Sequence, residues 1–167
     1  PGFCDSHSHL VYAETREGEF EDRIRGLSYE EVAARGGGIL NSVAKLRQLS
    51  EDELYARSYE RCKAIMAMGT TSIEIKSGYG LDLESELKML RVARRLDAAL
   101  PINIKTTLLA AHAFPTEYAE NKAGYVDLIC EQIIPEAAKQ GLAGEGEDQR
   151  AHAGDLENPL CSPAVIS

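Results

Sequence analysis

Apolar and polar residues alternate along residues 70–76 with the period of a β-strand. Ile73 and Ile75 fall on one side, and Glu74 and Lys76 fall on the other. The β-branched residues of this run also favour an extended backbone. The pattern therefore predicts a strand whose two faces meet different surroundings, as strands of a barrel do.

Other segments of the chain carry apolar residues at helical spacing, and capping residues mark where the helices begin. Ser28 with Glu31 and Ser50 with Glu53 form two capping-box patterns. The stretch up to about residue 26 is polar, and no element is assigned to it. The predicted helices cover residues 28–35, 39–49, 50–68, 82–100 and 125–140.

A further strand is predicted over residues 102–109, so strands and helices alternate along the chain. This order predicts an α/β fold with a parallel sheet, and functional residues are expected after the carboxyl ends of the strands. A complete (β/α)8 barrel takes roughly 250 residues, so we expect about half of one here, in a domain of residues 1–143. Residues 144–167 are predicted to be a divergent polar tail, for which disorder is one interpretation.

Composition narrows the class of ligand. The net charge of -9 includes no basic stripe and works against binding nucleic acid. No apolar run approaches the roughly 18 residues that cross a bilayer, and no export signal is recognisable, so a cytoplasmic location is the expectation. The four cysteines are too widely spaced for a zinc ribbon. A small-molecule ligand is therefore predicted.

The sequence His7-Ser8-His9 gives a candidate metal site. Side chains alternate along a strand, so the two imidazoles share one face and can bind one ion. The alternative is a pair of exposed or hydrogen-bonded histidines without a metal. The residues around the pair bear on this choice, because the run from Pro1 to Leu10 resembles PGxxDxHxHL, the first-strand signature of the amidohydrolase superfamily.

Longer motifs resemble one family of that superfamily, the imidazolonepropionases. They are GGGI at 36–39, EIKSGYGLDLE at 74–84, ELKMLR at 86–91 and AHA at 111–113. The resemblance covers about residues 1–143 and implies part of a TIM barrel of amidohydrolase type. It also implies hydrolysis of 4-imidazolone-5-propanoate to N-formimidoyl-L-glutamate by water activated on one zinc or iron ion.

The same resemblance implies roles for five residues. His7 and His9 match metal ligands, and Arg16, Tyr79 and His112 match substrate contacts. The acid/base groups of the family match nothing in this chain, so its catalytic residues are expected outside it. A homodimer is also an expectation from the family.

Each of these assignments has a structural alternative. Arg16 lies among glutamates and could form a surface ion pair, Tyr79 could be a turn aromatic, and His112 could be a buried structural histidine. Glu74 and Lys76 are predicted to form an ion pair without a catalytic role.

The chain departs from the family pattern after residue 143. His152, followed by Asp155, resembles the fifth-strand ligand pattern only faintly, and its role as a further ligand stays open. The chain begins inside the first motif, so we expect it to be a fragment. Two alternatives remain, an inactive fragment that requires a partner chain and another cyclic-amide hydrolase or deaminase on the same barrel.

Overall fold

The computed structural model describes residues 2–28, 31 and 37–143. Three strands, β1 (Phe3–Ser8), β2 (Thr70–Lys76) and β3 (Asn103–Thr107), form a parallel sheet in the order β1-β2-β3. The register between β2 and β3 is regular, whereas that between β1 and β2 shifts twice. The predicted α/β class with a parallel sheet is confirmed.

Helices connect the strands and follow the last of them. They are α1 (Glu17–Ile24), α2 (Ile39–Gln48), α3 (Glu51–Ala67), α4 (Leu83–Ala99), α5 (Lys122–Leu128) and α6 (Ile134–Lys139). A π-helical segment, Ile129–Ile133, joins α5 to α6, and two 3-10 turns, Ala110–His112 and Thr116–Tyr118, precede α5.

The predicted helix boundaries are confirmed where capping residues set them. The side chain of Ser50 accepts a hydrogen bond from the backbone N–H of Glu53, and the Glu53 carboxylate accepts one from the N–H of Ser50, so the predicted capping box begins α3. Gly69, with φ of 101°, follows the last turn. Asp82 caps α4 as predicted. The reciprocal hydrogen bonds of Ser28 and Glu31 are also present, but most of the helix predicted to follow them lies outside the described residues.

Two features of the helices differ from the prediction. The polar stretch, to which the sequence pattern assigned no element, contains α1, a charged helix that buries none of its residues. The helix predicted over residues 125–140 starts three residues earlier and contains the π-helical segment. Pro135 is the second residue after this segment, and because proline has no N–H to donate, the regular ladder of hydrogen bonds is interrupted there.

The core lies between the helices and one face of the sheet. Ile73 and Ile75 of β2 pack with apolar residues of α3 and α4, including Cys62 and Val92. A second cluster packs α2 and α4 against the segments after β3, with Tyr125 at its centre. The opposite face of β2 carries Glu74 and Lys76, so the strand has the two different faces that its sequence predicts. Within the part of the chain that the structure describes, no helix is both long and apolar enough to cross a membrane.

Candidate active site

The carboxyl ends of the three strands bring the predicted site residues to one edge of the sheet. His9 follows the last residue of β1, and Tyr79 lies in the turn after β2. His112 ends the 3-10 turn after β3. Parallel strands end on the same side, and functional groups on such folds collect in the loops that follow.

The rings of His9, Tyr79 and His112 form one cluster. His9 stacks on His112 with ring centres 4.7 Å apart, and its centre is 5.0 Å from that of Tyr79. Tyr79 and His112 are themselves stacked at 5.6 Å. Burial, together with the charges of His112 and His7, lowers the pKa of His9 to about 4. The His9 imidazole is therefore neutral at pH 7, the form that binds metals.

Arg16 and Tyr79 line a cavity of about 210 Å³ beside this cluster. The walls are formed by His9, Tyr12, Glu14, Thr15, Arg16, Ser42 and Tyr79. Arg16 also pairs with Glu19 at 3.5 Å, so the predicted surface ion pair exists. Its side chain nevertheless faces the cavity, where it lowers the pKa of Tyr79 against the larger effect of burial, which raises it. The walls include one carboxylate, Glu14, which pairs with Lys45 and Arg57. The Arg16 guanidinium and the aromatic rings suit a small molecule that carries a carboxylate.

The turn after β2 passes so close to His112 that its first glycine is required. Gly78 has φ of 111°, and a Cβ atom there would lie 2.7 Å from His112 Nδ1 and 2.9 Å from the carbonyl oxygen of Leu109. Both distances are shorter than ordinary contacts. Glycine is therefore needed for its backbone conformation and for the space that His112 fills.

A fully buried carboxylate, Glu86 of α4, binds the backbone of this turn. It accepts hydrogen bonds from the N–H groups of Gly78 at 3.0 Å and of Gly80 and Leu81 at 2.8 Å each. Burial raises the pKa of the Glu86 carboxyl above its usual range, and a hydrogen bond from the Ser77 hydroxyl and these three backbone bonds offset part of that effect. The three N–H groups occupy both carboxylate oxygens of Glu86.

Arg47 of α2 binds the carbonyl groups of the same turn. Its guanidinium donates to the oxygens of Gly80 at 2.8 Å and Leu81 at 3.0 Å, and pairs with Asp82 at 2.8 Å. Leu81 has φ of 54°, which a side-chain-bearing residue rarely adopts. The turn keeps this costly conformation because hydrogen bonds constrain it from both sides.

The segment after β1 is fixed in a similar way from α3. Arg61 donates to the carbonyl oxygens of Tyr12 at 2.6 Å and Ala13 at 3.2 Å, and its guanidinium lies 3.6 Å from the centre of the Tyr12 ring. After β3, the hydroxyl of Tyr125 donates to the carbonyl oxygen of Ala110 at 2.7 Å. Helix side chains thus hold each loop that carries a candidate site residue.

His7 and His9 fit a shared metal ion in part. An ion about 2.1 Å from one nitrogen of each ring lies roughly 3.2 Å from each ring centre, so two such centres are at most ~6.4 Å apart. The observed separation is 6.0 Å. His9 Nδ1 is buried and has no hydrogen-bond partner among the described residues. Those residues include no group of three side chains placed to hold a metal, and His152 lies outside them.

Glu74 and Lys76 form the ion pair that the strand pattern predicts. Lys76 Nζ lies 2.8 Å from Glu74 Oε1, and the hydroxyl of Thr107 donates to the same oxygen. Lys76 is fully buried. The pair lies within β2, and the hydrogen bond from Thr107 links it to β3 on the sheet face opposite the helices.

Sequence reasoning missed Glu86, Arg47 and Arg61 as supports of the site. Each contacts a loop between five and 49 positions away along the chain, which no local pattern reveals. One signal in the sequence could have identified Glu86. It lies in the first turn of α4, on the helix face that is otherwise lined with apolar residues, and a charged residue on a buried face needs hydrogen-bond partners.

The fold and the site define a class, parallel α/β proteins whose functional side chains follow the carboxyl ends of the strands. No protein-family model matches the chain. Curated proteins do match it over 143 residues, which are 86% of this chain. The imidazolonepropionases of Flavobacterium johnsoniae and Ectopseudomonas mendocina are each 58% identical, and that of Yersinia pestis is 54% identical.

The chain is thus a relative of the imidazolonepropionases over most of its own length. It spans 35% of the length of these curated relatives. The resemblance seen in the sequence motifs is confirmed for that part.

Proposed function

We propose that this chain is part of an imidazolonepropionase, a hydrolase of histidine degradation, and contributes the first strands of a (β/α)8 barrel in residues 1–143. The substrate is 4-imidazolone-5-propanoate and the product is N-formimidoyl-L-glutamate. The observation that carries the proposal is the convergence of His9, Arg16 and Tyr79 on one cavity, with His112 stacked behind two of them. The 58% identity to named imidazolonepropionases supports it.

Hydrolysis adds the oxygen of water to the ring's carbonyl carbon and breaks the bond from that carbon to the ring nitrogen, which takes up a proton. His7 and His9 would hold two coordination positions of a zinc or iron ion, which when bound makes hydroxide available near pH 7. Arg16 binds the propanoate carboxylate, since a guanidinium matches a carboxylate with two parallel hydrogen bonds. Tyr79 and His112 orient the ring through stacking and hydrogen bonding. The groups that transfer protons lie outside the described residues.

A chimera tests the proposal in a complete enzyme. The 143 matching residues of the Flavobacterium johnsoniae imidazolonepropionase are replaced by those of this chain, and turnover of 4-imidazolone-5-propanoate is followed by the loss of its ultraviolet absorbance. We expect turnover within about tenfold of the parent's. Arg16→Gln in the chimera removes charge-assisted hydrogen bonds worth about 1.5–3 kcal/mol, which is a rise in KM of about 10- to 150-fold.

Arg25→Gln is the matched control. Arg25 lies at the other end of α1 and pairs with Glu21 at 3.5 Å, much as Arg16 pairs with Glu19. It contacts no cavity residue, so we expect KM within about twofold of the unaltered chimera. A folded but inert chimera contradicts the proposal, as does an equal effect of the two substitutions. Hydrolysis of a different cyclic amide in place of imidazolonepropionate would favour another hydrolase of the same fold.

A further inference from the structure

We propose that Glu86 and Arg47 are positioning residues that hold Tyr79 in the substrate site. This inference rests on the function proposed above. Neither residue lines the cavity. Both act on the turn of residues 78–81, which we name the Tyr79 turn. Glu86 binds its N–H groups, and Arg47 binds its carbonyl groups.

The chemistry of the two contacts makes them specific to this turn. The carboxylate of Glu86 has three N–H donors on its two oxygens, so both oxygens must accept. An amide has only one oxygen, and its NH2 group would face a backbone N–H in a fully buried place. Glu86→Gln therefore keeps the size of the side chain while leaving at least one donor of the Tyr79 turn without an acceptor.

Arg47 connects the Tyr79 turn to a second loop of the site. Besides the carbonyl oxygens of Gly80 and Leu81, its guanidinium reaches Glu117 at 2.7 Å, in the 3-10 turn after β3. The guanidinium has enough donors for all of these groups in one plane. Through Arg47, α2 is tied both to the Tyr79 turn and to the segment that follows His112.

The backbone of the Tyr79 turn requires such restraint. Gly78 has φ of 111° and Leu81 has φ of 54°, and Tyr79 lies between them. A side chain on a turn with two left-handed positions has many alternative placements once the hydrogen bonds are lost. Its tilted contact with His9 and its stacking on His112 depend on ring positions within about an ångström, so release of the turn removes the ring from the cavity wall.

A fluorine NMR experiment on the full chain tests this without depending on catalysis. The seven tyrosines are replaced by 3-fluorotyrosine, and the signal of Tyr79 is assigned with Tyr79→Phe. The neighbouring rings of His9 and His112 displace this signal from that of the free amino acid. In Glu86→Gln and in Arg47→Met we expect it to move most of the way back, while the signals of Tyr55 and Tyr59 stay in place.

Asp97→Asn is the matched control, since Asp97 also lies on α4 and accepts a backbone N–H, that of Ile104 at 3.1 Å, at the opposite edge of the sheet. It should leave the Tyr79 signal unchanged. An unmoved Tyr79 signal in folded Glu86→Gln overturns the proposal, as does a shift of equal size in Asp97→Asn. If Glu86→Gln does not fold, Arg47→Met gives the decision by the same criterion.

Kinetics in the chimera separate positioning from general destabilisation. We expect Glu86→Gln to raise KM at least tenfold, and Tyr79→Phe to add less than twofold in that background, because the ring is already displaced. Fully multiplicative effects overturn the proposal. A chimera that is inert in every variant refutes the proposed function, and the fluorine signal then still decides whether the two residues hold the turn.

Discussion

Gly78 is constrained in two ways, by its backbone conformation and by the packing of His112 against it. Its φ of 111° and its contact with His112 both exclude a side chain. Gly26 has a similar φ of 95°, but a Cβ atom there would have no neighbour within 4 Å among the described residues. The two glycines therefore separate the cost of the backbone conformation from that of the contact.

We expect Gly78→Ala to destabilise the chain by about 2–4 kcal/mol and Gly26→Ala by about 1 kcal/mol. Both substitutions carry the penalty of a positive φ, roughly 1–2 kcal/mol. Only Gly78→Ala also places a Cβ atom against His112 and Leu109, which must then move away from residue 78. Urea unfolding followed by circular dichroism measures both. Equal losses would mean that His112 moves freely and that the site does not depend on this contact.

At this scale, the sequence predicted which residues gather but not what holds them. Motifs pointed to His9, Arg16, Tyr79 and His112, and the structure brings all four together. Their roles in binding remain predictions. Glu86 was not predicted, because its function depends on the N–H groups of a turn whose backbone path cannot be derived from residue types alone.

At the scale of elements, local hydrogen bonding decided what the sequence could predict. The bounds of β2 and the starts of α3 and α4 were predicted correctly, since each depends on residues within a few positions of one another. Helix α1 was missed because its apolar spacing is limited to one pair, Phe20 and Ile24, and both side chains are exposed. The π-helical segment was missed because the apolar spacing continues through it, and the proline after it, Pro135, interrupts the hydrogen bonds without changing that spacing.

The capping box of α3 gives a prediction with a defined dependence on pH. Ser50→Ala removes the side chain that binds Glu53, and we expect a loss of about 1 kcal/mol at pH 7 by urea unfolding. Hydrogen bonds from Ser50 lower the pKa of Glu53 in the folded chain. The stabilisation from Glu53 is therefore complete above its unfolded pKa of about 4.3 and is lost as pH falls through the lowered folded value.

The loss caused by Ser50→Ala should accordingly shrink between pH 7 and pH 3, without vanishing, because the Glu53 N–H loses its acceptor at either pH. Ser50→Asn keeps an accepting oxygen and should retain most of the stability. A loss that is the same at pH 3 and pH 7 would show that the carboxylate of Glu53 takes no part.

At the scale of the whole molecule, the two faces of the sheet differ in what they bury. Helices cover the face of Ile73 and Ile75. The other face carries the Glu74–Lys76 pair and leads to His7 in β1 and His9 directly after it. Polar side chains on a sheet face are satisfied by each other or by further protein, and the curated relatives are about two and a half times as long as this chain. The proposed metal site would then take ligands from these residues and from residues that correspond to the rest of the relatives' length.

A metal site whose ligands are only partly supplied by this chain should bind zinc weakly in the chain alone. Two imidazoles leave the remaining positions of a zinc ion to water, so we expect the chain alone to bind zinc at least ~100-fold more weakly than the chimera with the Flavobacterium johnsoniae enzyme does. Equilibrium dialysis at buffered zinc concentrations, with elemental analysis, measures both. His7→Ala with His9→Ala should abolish the weak binding by the chain and deplete the chimera.

Zinc held by the chain as tightly as by the chimera would contradict this expectation, because the remaining ligands would then have to lie within these 167 residues. His152→Ala would identify one of them, since the faint ligand pattern at that position is the remaining histidine candidate in the sequence. Weak binding that survives the double substitution would instead place the ion away from β1. It would remove His7 and His9 from the proposed site while leaving the cavity of Arg16 and Tyr79 as a binding site for a small anion.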